Sequence, residues 1–146
     1  MSLQIDYWQR EKLEGRATSD GFGRGLMAAG LENNRVIVLT ADLSESTRVL
    51  EFQKKWPQRF IQMGVAEQNM AGVAAGLALT GFIPFMTSYA VFSPGRNWEQ
   101  IRVSIGYNNA NVKIIGHHAG VSVGADGATH QALEDIALMR VLPRMT

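Results

Sequence analysis

The stretch Arg35-Val-Ile-Val-Leu-Thr-Ala41 decides the fold class of this chain. It is an apolar run of mostly β-branched residues without polar alternation, which is typical of a parallel strand buried on both faces. Helical patterns flank it at Thr18–Glu32 and at 47–56. Strands and helices that alternate through short connections form a parallel sheet covered on both sides. We therefore predict an α/β fold of three layers, α/β/α, with a mostly parallel sheet.

The alternation continues along the rest of the chain. Further strands are predicted at 60–63, 83–88 and 112–117, and further helices at 67–80, 95–107 and 131–139. Open parallel sheets bind ligands at the carboxyl ends of their strands. The loops at that edge are 42–46, 64–67, 87–95 and 117–130, and they carry the unusual polar and aromatic residues of the chain. The sequence predicts a ligand site there.

The composition excludes several classes of protein. The 146 residues are 46% hydrophobic and 18% charged, as is ordinary for a globular domain. A net charge of +1 gives no basic surface for nucleic acid or membrane lipid, and the absence of cysteine excludes disulfides and thiolate chemistry. No apolar run approaches the roughly 18 residues of a membrane span, and the first residues are not those of a signal or transit peptide. We expect one cytoplasmic domain over residues 1–146.

Glu67 stands at the start of a predicted helix, in Gly64-Val-Ala-Glu67-Gln-Asn-Met70. A carboxylate in a first helical turn stabilises the helix by about 0.3–1 kcal/mol and needs no other role. The helix continues with the small residues Ala71-Gly-Val-Ala-Ala-Gly-Leu-Ala78, which allow close packing against another helix, for example across a subunit interface. Such packing would bury the end that carries Glu67. The pattern leaves both a structural and a functional role open.

All three histidines lie within residues 117–130, together with Asp126. His117 and His118 are neighbours at a strand end and are expected to point to opposite faces. His118, Asp126 and His130 are therefore candidates for a three-ligand metal site. The alternatives to a metal site are that these three residues form hydrogen bonds to the loop backbone, or that they bind a polyhydroxylated or phosphorylated substrate. Tyr89 and Phe92 lie three residues apart in a neighbouring loop. Their spacing is typical of core residues, and the alternative is that they form a platform on which a ligand stacks.

Four stretches in this order and spacing resemble transketolases. They are Ala41-Asp42-Leu43, Gly64-Val-Ala-Glu67-Gln-Asn-Met70, Phe92 with Gly95-Arg96-Asn-Trp-Glu-Gln-Ile-Arg102, and Gly124-Ala-Asp126-Gly-Ala-Thr-His130-Gln131. The likeness runs from about residue 17 to residue 146, and it is greatest to the C-terminal subunit of transketolases whose gene is split in two. It implies the pyrimidine-binding type of the thiamine-diphosphate-binding fold, with a thiamine diphosphate site shared between two chains.

The resemblance also implies roles for individual residues. Glu67 matches the glutamate that bonds N1′ of the cofactor's aminopyrimidine and activates it. Phe92 matches the aromatic residue that stacks on the pyrimidine, Tyr89 a second wall of that pocket, and Asp42 a further cofactor-binding position. The implied substrate-binding residues are Asp126 and His130 at the sugar hydroxyls, with His130 also catalytic, and His118 and Ser46 near the substrate phosphate.

The chain departs from the family pattern at two positions. Transketolases usually carry a phosphate-binding arginine where Ser19 stands, and Arg16 or Arg24 could take its place. Single-chain transketolases carry histidine where Gln68 stands. The Ala-Glu-Gln form is shared by split transketolases and deoxyxylulose-phosphate synthases, although the synthases carry arginine where His118 stands. A synthase-like enzyme and a non-catalytic dimerisation or regulatory subunit are therefore the alternatives to a transketolase.

The magnesium–diphosphate motif of these enzymes, Gly-Asp-Gly followed by paired asparagines, is absent from the sequence. We therefore expect an N-terminal transketolase subunit as the partner that binds the diphosphate and magnesium. We also expect a homodimer formed through the Glu67 helix, and sugar phosphates as substrates. The chain stops at Leu142-Pro-Arg-Met-Thr146, where another strand is expected to begin, so we expect the family's C-terminal domain to be missing from it.

Overall fold

The structure is a computed structural model that describes residues 15–121 and 123–146. A π-helix, Ile101–Tyr107, continues directly from the fourth α-helix, and short 3-10 helices lie at Pro57–Arg59 and Gly127–His130. The remaining elements in chain order are α1 (Thr18–Glu32), β1 (Val36–Thr40), α2 (Leu50–Lys55), β2 (Phe60–Gln62), α3 (Glu67–Leu79), β3 (Ile83–Tyr89), α4 (Trp98–Gln100), β4 (Lys113–His117) and α5 (Asp135–Arg140).

The four strands form one parallel sheet in the order β2-β1-β3-β4. Every residue of β1 is buried, as its apolar run predicts. Val36 and Val38 belong to a core cluster with residues of α1 and α2, on one face of the sheet. Ile37 and Leu39 belong to a second cluster with residues of α3 and the π-helix, on the other face. The alternation of side chains along β1 therefore supplies both faces, and the three-layer α/β/α prediction is confirmed.

The helix predicted at 47–56 begins later, at Leu50. The Thr47 hydroxyl donates to the Leu43 carbonyl oxygen at 2.7 Å and stabilises a turn. Arg48 has a φ of 58°, which is left-handed and incompatible with a right-handed helix. The chain therefore enters α2 only after this turn, and the loop after β1 is longer than predicted.

The last two predicted helices also differ from the structure. The helix predicted at 95–107 begins at Trp98 and becomes a π-helix at Ile101. The helix predicted at 131–139 is wrong in its first half, since α5 covers only Asp135–Arg140. Ala132 forms an antiparallel bridge with Gly120, and their backbones exchange hydrogen bonds of 2.7 and 3.2 Å. This pairing keeps Ala132 out of a helix, and the chain bends at residues 133–134 before α5 begins.

Among the residues that the structure describes, none belongs to a helix of the length and hydropathy that a membrane crossing requires.

Candidate functional site

The predicted site residues lie at one edge of the sheet. Because all four strands are parallel, their carboxyl ends meet there. Glu67 begins α3 just after β2, Tyr89 ends β3, and His118 follows β4. Asp42 follows β1, and its backbone N–H donates to the Gln62 side-chain oxygen at 2.7 Å.

The Glu67 side chain is 1% exposed. Its Oε2 accepts a hydrogen bond from Nη1 of Arg96 at 2.8 Å, and the Arg96 side chain is 46% exposed. A buried carboxylate without a cation or donor costs several kcal/mol, so this ion pair is what the burial of Glu67 requires. The favourable interaction with the helix dipole is also available to an exposed carboxylate, so it does not by itself account for the complete burial of Glu67.

The guanidinium of Arg96 also lies over the ring of Phe92, with its carbon 4.6 Å from the ring centroid. A cation in this position is attracted to the face of the ring. One planar cation thus bridges the buried carboxylate and the aromatic side chain. The sequence assigned no role to Arg96, because it lies 29 positions after Glu67 and no pattern between them predicts a contact.

Asn97, which is fully buried, holds these groups in place. Its side-chain amide donates to the backbone oxygen of Glu67 at 3.0 Å and to the Ser93 hydroxyl at 3.2 Å. The start of α3 is thereby tied to the turn after β3. That turn is tight: a Cβ added at Gly95 would collide with the carbonyl oxygen of Val91. Glycine at residue 95 is therefore required for the turn that presents Phe92 and Arg96.

Four rings form an aromatic cluster beside this ion pair: Tyr89, Phe92, His118 and His130. The ring centroid of Tyr89 lies 4.5 Å from that of His118, edge-on, and 6.2 Å from that of Phe92, nearly parallel. His130 meets Phe92 edge-on at 5.3 Å. The structure therefore brings together four residues that the sequence placed in two different loops.

Asp126 is exposed, and its backbone oxygen accepts a hydrogen bond from the Thr129 hydroxyl at 3.3 Å. The same hydroxyl lies 2.8 Å from Nδ1 of His130. Within residues 15–121 and 123–146, no group of three or more histidine, aspartate or glutamate side chains is placed to hold a metal ion. His118, Asp126 and His130 therefore do not form the three-ligand site that their spacing allowed.

A cleft of about 400 Å³ opens next to the aromatic cluster and shares Tyr89 and His118 with it. Asp42 and Ser46 line this cleft, together with Arg48. Asp42, Arg48 and His118 have φ values of 62°, 58° and 55°. Such conformations are uncommon for residues other than glycine and concentrate at binding sites. Two larger cavities lie away from Glu67. One, of about 640 Å³, is beside the start of β4, and the other, of about 690 Å³, is between α1 and α2.

His117 points away from the aromatic cluster into the protein, where it is 7% exposed and meets Phe22 edge-on at 5.1 Å. Burial, and to a smaller extent the charges of His118 and Arg48, lower the pKa of His117 from 6.5 to about 4. The imidazole is therefore neutral at neutral pH. Because the unfolded chain binds the proton more readily, the stability from this residue is complete above pH 6.5 and is lost as the pH falls towards 4.

A parallel sheet with helices on both faces defines a three-layer α/β/α domain, with the candidate site at the carboxyl ends of its strands. Residues 14–146 match the family model described as "Transketolase, pyrimidine binding domain". The chain belongs to that family.

Individual relatives agree with this assignment. The chain is 52% identical over 125 residues to a putative transketolase C-terminal section of Methanocaldococcus jannaschii, covering 86% of this chain and 40% of the relative. It is 39% identical over 135 residues to the 6-deoxy-6-sulfo-D-fructose transketolase subunit SqwH of a Clostridium species, covering 92% and 42%. A solved structure described as a split gene transketolase, inactive beta4 tetramer, superposes with a TM-score of 0.76 at 53% identity, covering 89% and 42%. The chain thus spans about two fifths of the length of these relatives.

Proposed function

We propose that this chain is the pyrimidine-binding part of a transketolase, which transfers a two-carbon ketol unit between sugar phosphates with thiamine diphosphate. The observation that carries the proposal is the carboxylate of Glu67, which is 1% exposed and is linked through Arg96 to the ring of Phe92. Two relatives described as a transketolase section and a transketolase subunit support it.

The residues at this position fit an aminopyrimidine. In the present structure a planar N–H donor, the Arg96 guanidinium, bonds Glu67 and lies on the face of Phe92 at the same time. An aminopyrimidine is also planar, and with a proton at N1′ it offers the same N–H donor. The site therefore accepts a flat group that hydrogen-bonds the carboxylate and stacks on the ring, with Tyr89 as a second aromatic wall.

The chemistry follows from the burial of Glu67. Thiamine diphosphate, when bound, supplies a thiazolium carbon that becomes nucleophilic on loss of its proton. In our proposal, Glu67 holds the proton at N1′ of the aminopyrimidine and so favours the imino form of its 4′ nitrogen. A carboxylate shielded from water makes a stronger charge-assisted hydrogen bond than one at the surface. Asp42 contributes to cofactor binding from the loop after β1.

The sugar is proposed to lie over the aromatic cluster and the cleft beside it. The Thr129 hydroxyl bonds Nδ1 of His130, which orients the ring and leaves Nε2 to bond a sugar hydroxyl and to exchange a proton with it. Asp126, exposed in the same loop, is proposed to bond another hydroxyl. Ser46 and His118 line the cleft and are proposed to lie near the phosphate. One relative is named for a 6-deoxy-6-sulfo sugar, so the choice of sugar phosphates is our proposal.

The assembly is proposed to include a second chain. An N-terminal transketolase subunit would bind magnesium and the diphosphate of the cofactor, for which this sequence has no motif. A solved split-gene relative is described as an inactive tetramer of its beta chain, which agrees with a requirement for such a partner.

Two copies of this chain are proposed to meet through α3, where Gly72 and Gly76 have no neighbour within 4 Å of an added Cβ and Leu79 is 63% exposed. The whole of residues 1–146 is then one pyrimidine-binding domain of a cytoplasmic enzyme.

The test is reconstitution. This chain is mixed with a diphosphate-binding transketolase chain, thiamine diphosphate and magnesium, and ketol transfer from xylulose 5-phosphate to ribose 5-phosphate is measured. Turnover supports the proposal. Turnover only in a deoxyxylulose-phosphate synthase assay favours the synthase alternative. A complex that assembles and binds the cofactor but has neither activity favours a non-catalytic subunit, which Ser19 in place of the family arginine motivates.

A further inference from the structure

The cleft beside the aromatic cluster is lined by the arginine Arg48. Ser19 lines this cleft but has no charge, and Arg48 lines it from the loop after β1. The two arginines that the sequence offered as substitutes for the family arginine are elsewhere. Arg24 lines the neighbouring cavity between α1 and α2, which Arg48 and Glu45 also line, and Arg16 is not among the residues that line the 400 Å³ cleft.

The side chain of Arg48 is held in position from two directions. Its Nε lies 2.9 Å from Oδ1 of Asp20 on α1. A Cβ added at Gly23 would lie 3.1 Å from the Cβ of Arg48 and 3.2 Å from its backbone oxygen, so the glycine lets α1 approach this residue closely. Arg48, whose backbone is left-handed, lines both this cleft and the cavity between α1 and α2. Within the described residues, the hydrogen bond of the guanidinium is made by Nε, and the two terminal nitrogens remain to bind a ligand.

The rest of the cleft suits a tetrahedral oxyanion. Ser19 contributes a hydroxyl from the first turn of α1, and the Ser44 hydroxyl, which accepts a bond of 3.5 Å from Gln62, still has its own hydrogen to donate. The carboxylates of Asp42 and Glu45 line the same cleft and would repel an anion. Binding of an anion therefore depends on the positive charge of Arg48.

We propose that Arg48 binds the phosphate or other anionic end group of the sugar substrate, in place of the arginine that the family carries at residue 19. The two terminal nitrogens of a guanidinium match two oxygens of a phosphate or sulfonate in a bidentate arrangement. Arg48 is thus a specificity-determining residue, and the inference rests on the proposed function of the chain.

The experiment uses the complete complex with the diphosphate-binding chain, thiamine diphosphate and magnesium. Ketol transfer is measured with ribose 5-phosphate and with unphosphorylated ribose as acceptors, for the natural chain, Arg48→Met and the matched control Arg24→Met. We expect Arg48→Met to raise KM for ribose 5-phosphate by about 10- to 100-fold with kcat nearly unchanged, because a hydrogen-bonded charge pair with the substrate is lost. Its kcat/KM for ribose should stay within about twofold, and Arg24→Met should change neither acceptor.

Equal losses with both acceptors would show that Arg48 only supports the loop, and an unchanged preference for ribose 5-phosphate would show that it does not bind the anion. Either result overturns the inference. Asp20 and Arg48 are both about half exposed, so the fold should survive the change of Arg48 to Met. The second variant is Arg48→Lys, for which we expect the KM for ribose 5-phosphate to rise by a few fold. If the natural complex shows no ketol transfer, the proposed function fails separately. Calorimetric titration with ribose 5-phosphate then tests whether Arg48 binds the anion. Equal affinities of the natural chain and Arg48→Met for ribose 5-phosphate would overturn the inference.

Discussion

Arg96→Met is the variant that examines the Glu67 site in the isolated chain. It removes the cation from a carboxylate that is 1% exposed, whereas the aliphatic part of the side chain is largely kept. Breaking a fully buried ion pair costs about 3–5 kcal/mol, and an exposed pair contributes about 0–1 kcal/mol. Because the Arg96 side chain is 46% exposed, water replaces part of the lost interaction. We expect a loss of about 2 kcal/mol in the free energy of unfolding, between those limits.

Urea unfolding measures this loss, at one fixed protein concentration because the chain is proposed to self-associate. A loss of about 2 kcal/mol lowers the midpoint by about 1 M urea. Arg102→Met is the matched control, since Arg102 lies over the Trp98 ring at 5.5 Å without a buried carboxylate beside it, and it should cost less than about 1 kcal/mol.

A double-mutant cycle with Glu67→Gln isolates the pair. Once Arg96 is gone, neutralising Glu67 should cost nothing or restore stability, which gives a coupling energy of about 1–2 kcal/mol. Additive losses, together with an Arg96→Met variant as stable as Arg102→Met, would refute the view that Arg96 compensates the buried charge.

Three further predictions concern the rest of the molecule. In the natural protein the free energy of unfolding should fall by about 1.4 kcal/mol per pH unit from pH 6.5 to pH 4, because the pKa of His117 is lowered to about 4, and His117→Phe should remove this fall. Urea unfolding across that range checks the prediction, and equal pH slopes in the two proteins would contradict it. Gly95→Ala should cost about 2–3 kcal/mol, since its Cβ meets the carbonyl of Val91, whereas Gly21→Ala, in open space on α1, should be neutral or stabilising. Gly76→Glu should shift sedimentation towards the monomer if α3 forms the dimer, and an unchanged dimer would place the interface elsewhere.

The sheet and its carboxyl edge could be predicted from the sequence because they depend on local patterns. The unalternating apolar run of β1 requires helices on both faces, and parallel strands bring the loops after them to one edge. The errors occur where a tertiary contact overrides a local preference. Residues 131–134 pattern as a helix, but Ala132 pairs with Gly120 and the chain then bends at residues 133–134. The turn at Arg48 shortens α2 in the same way.

The candidate site was predictable in part for the same reason. Motif spacing placed Tyr89, Phe92, His118 and His130 at the sheet edge, and the structure joins them in one cluster. The two arginines beside the site could not be predicted. Arg96 lies 29 positions after Glu67 in the chain, and Arg48 lines the cleft from a turn whose left-handed backbone no local pattern predicts.

The central claim is that Glu67 activates thiamine diphosphate, and proton exchange at the thiazolium C2 carbon tests it most directly. The exchange rate is measured by NMR after acid quench, in the complete complex with the partner chain, for the natural protein, Glu67→Gln and the exposed control Glu99→Gln. We predict that Glu67→Gln slows exchange by about 10²–10⁴-fold, the usual contribution of a positioned acid–base group, whereas Glu99→Gln leaves it unchanged. Exchange at the natural rate in Glu67→Gln, with the cofactor bound, would contradict the claim.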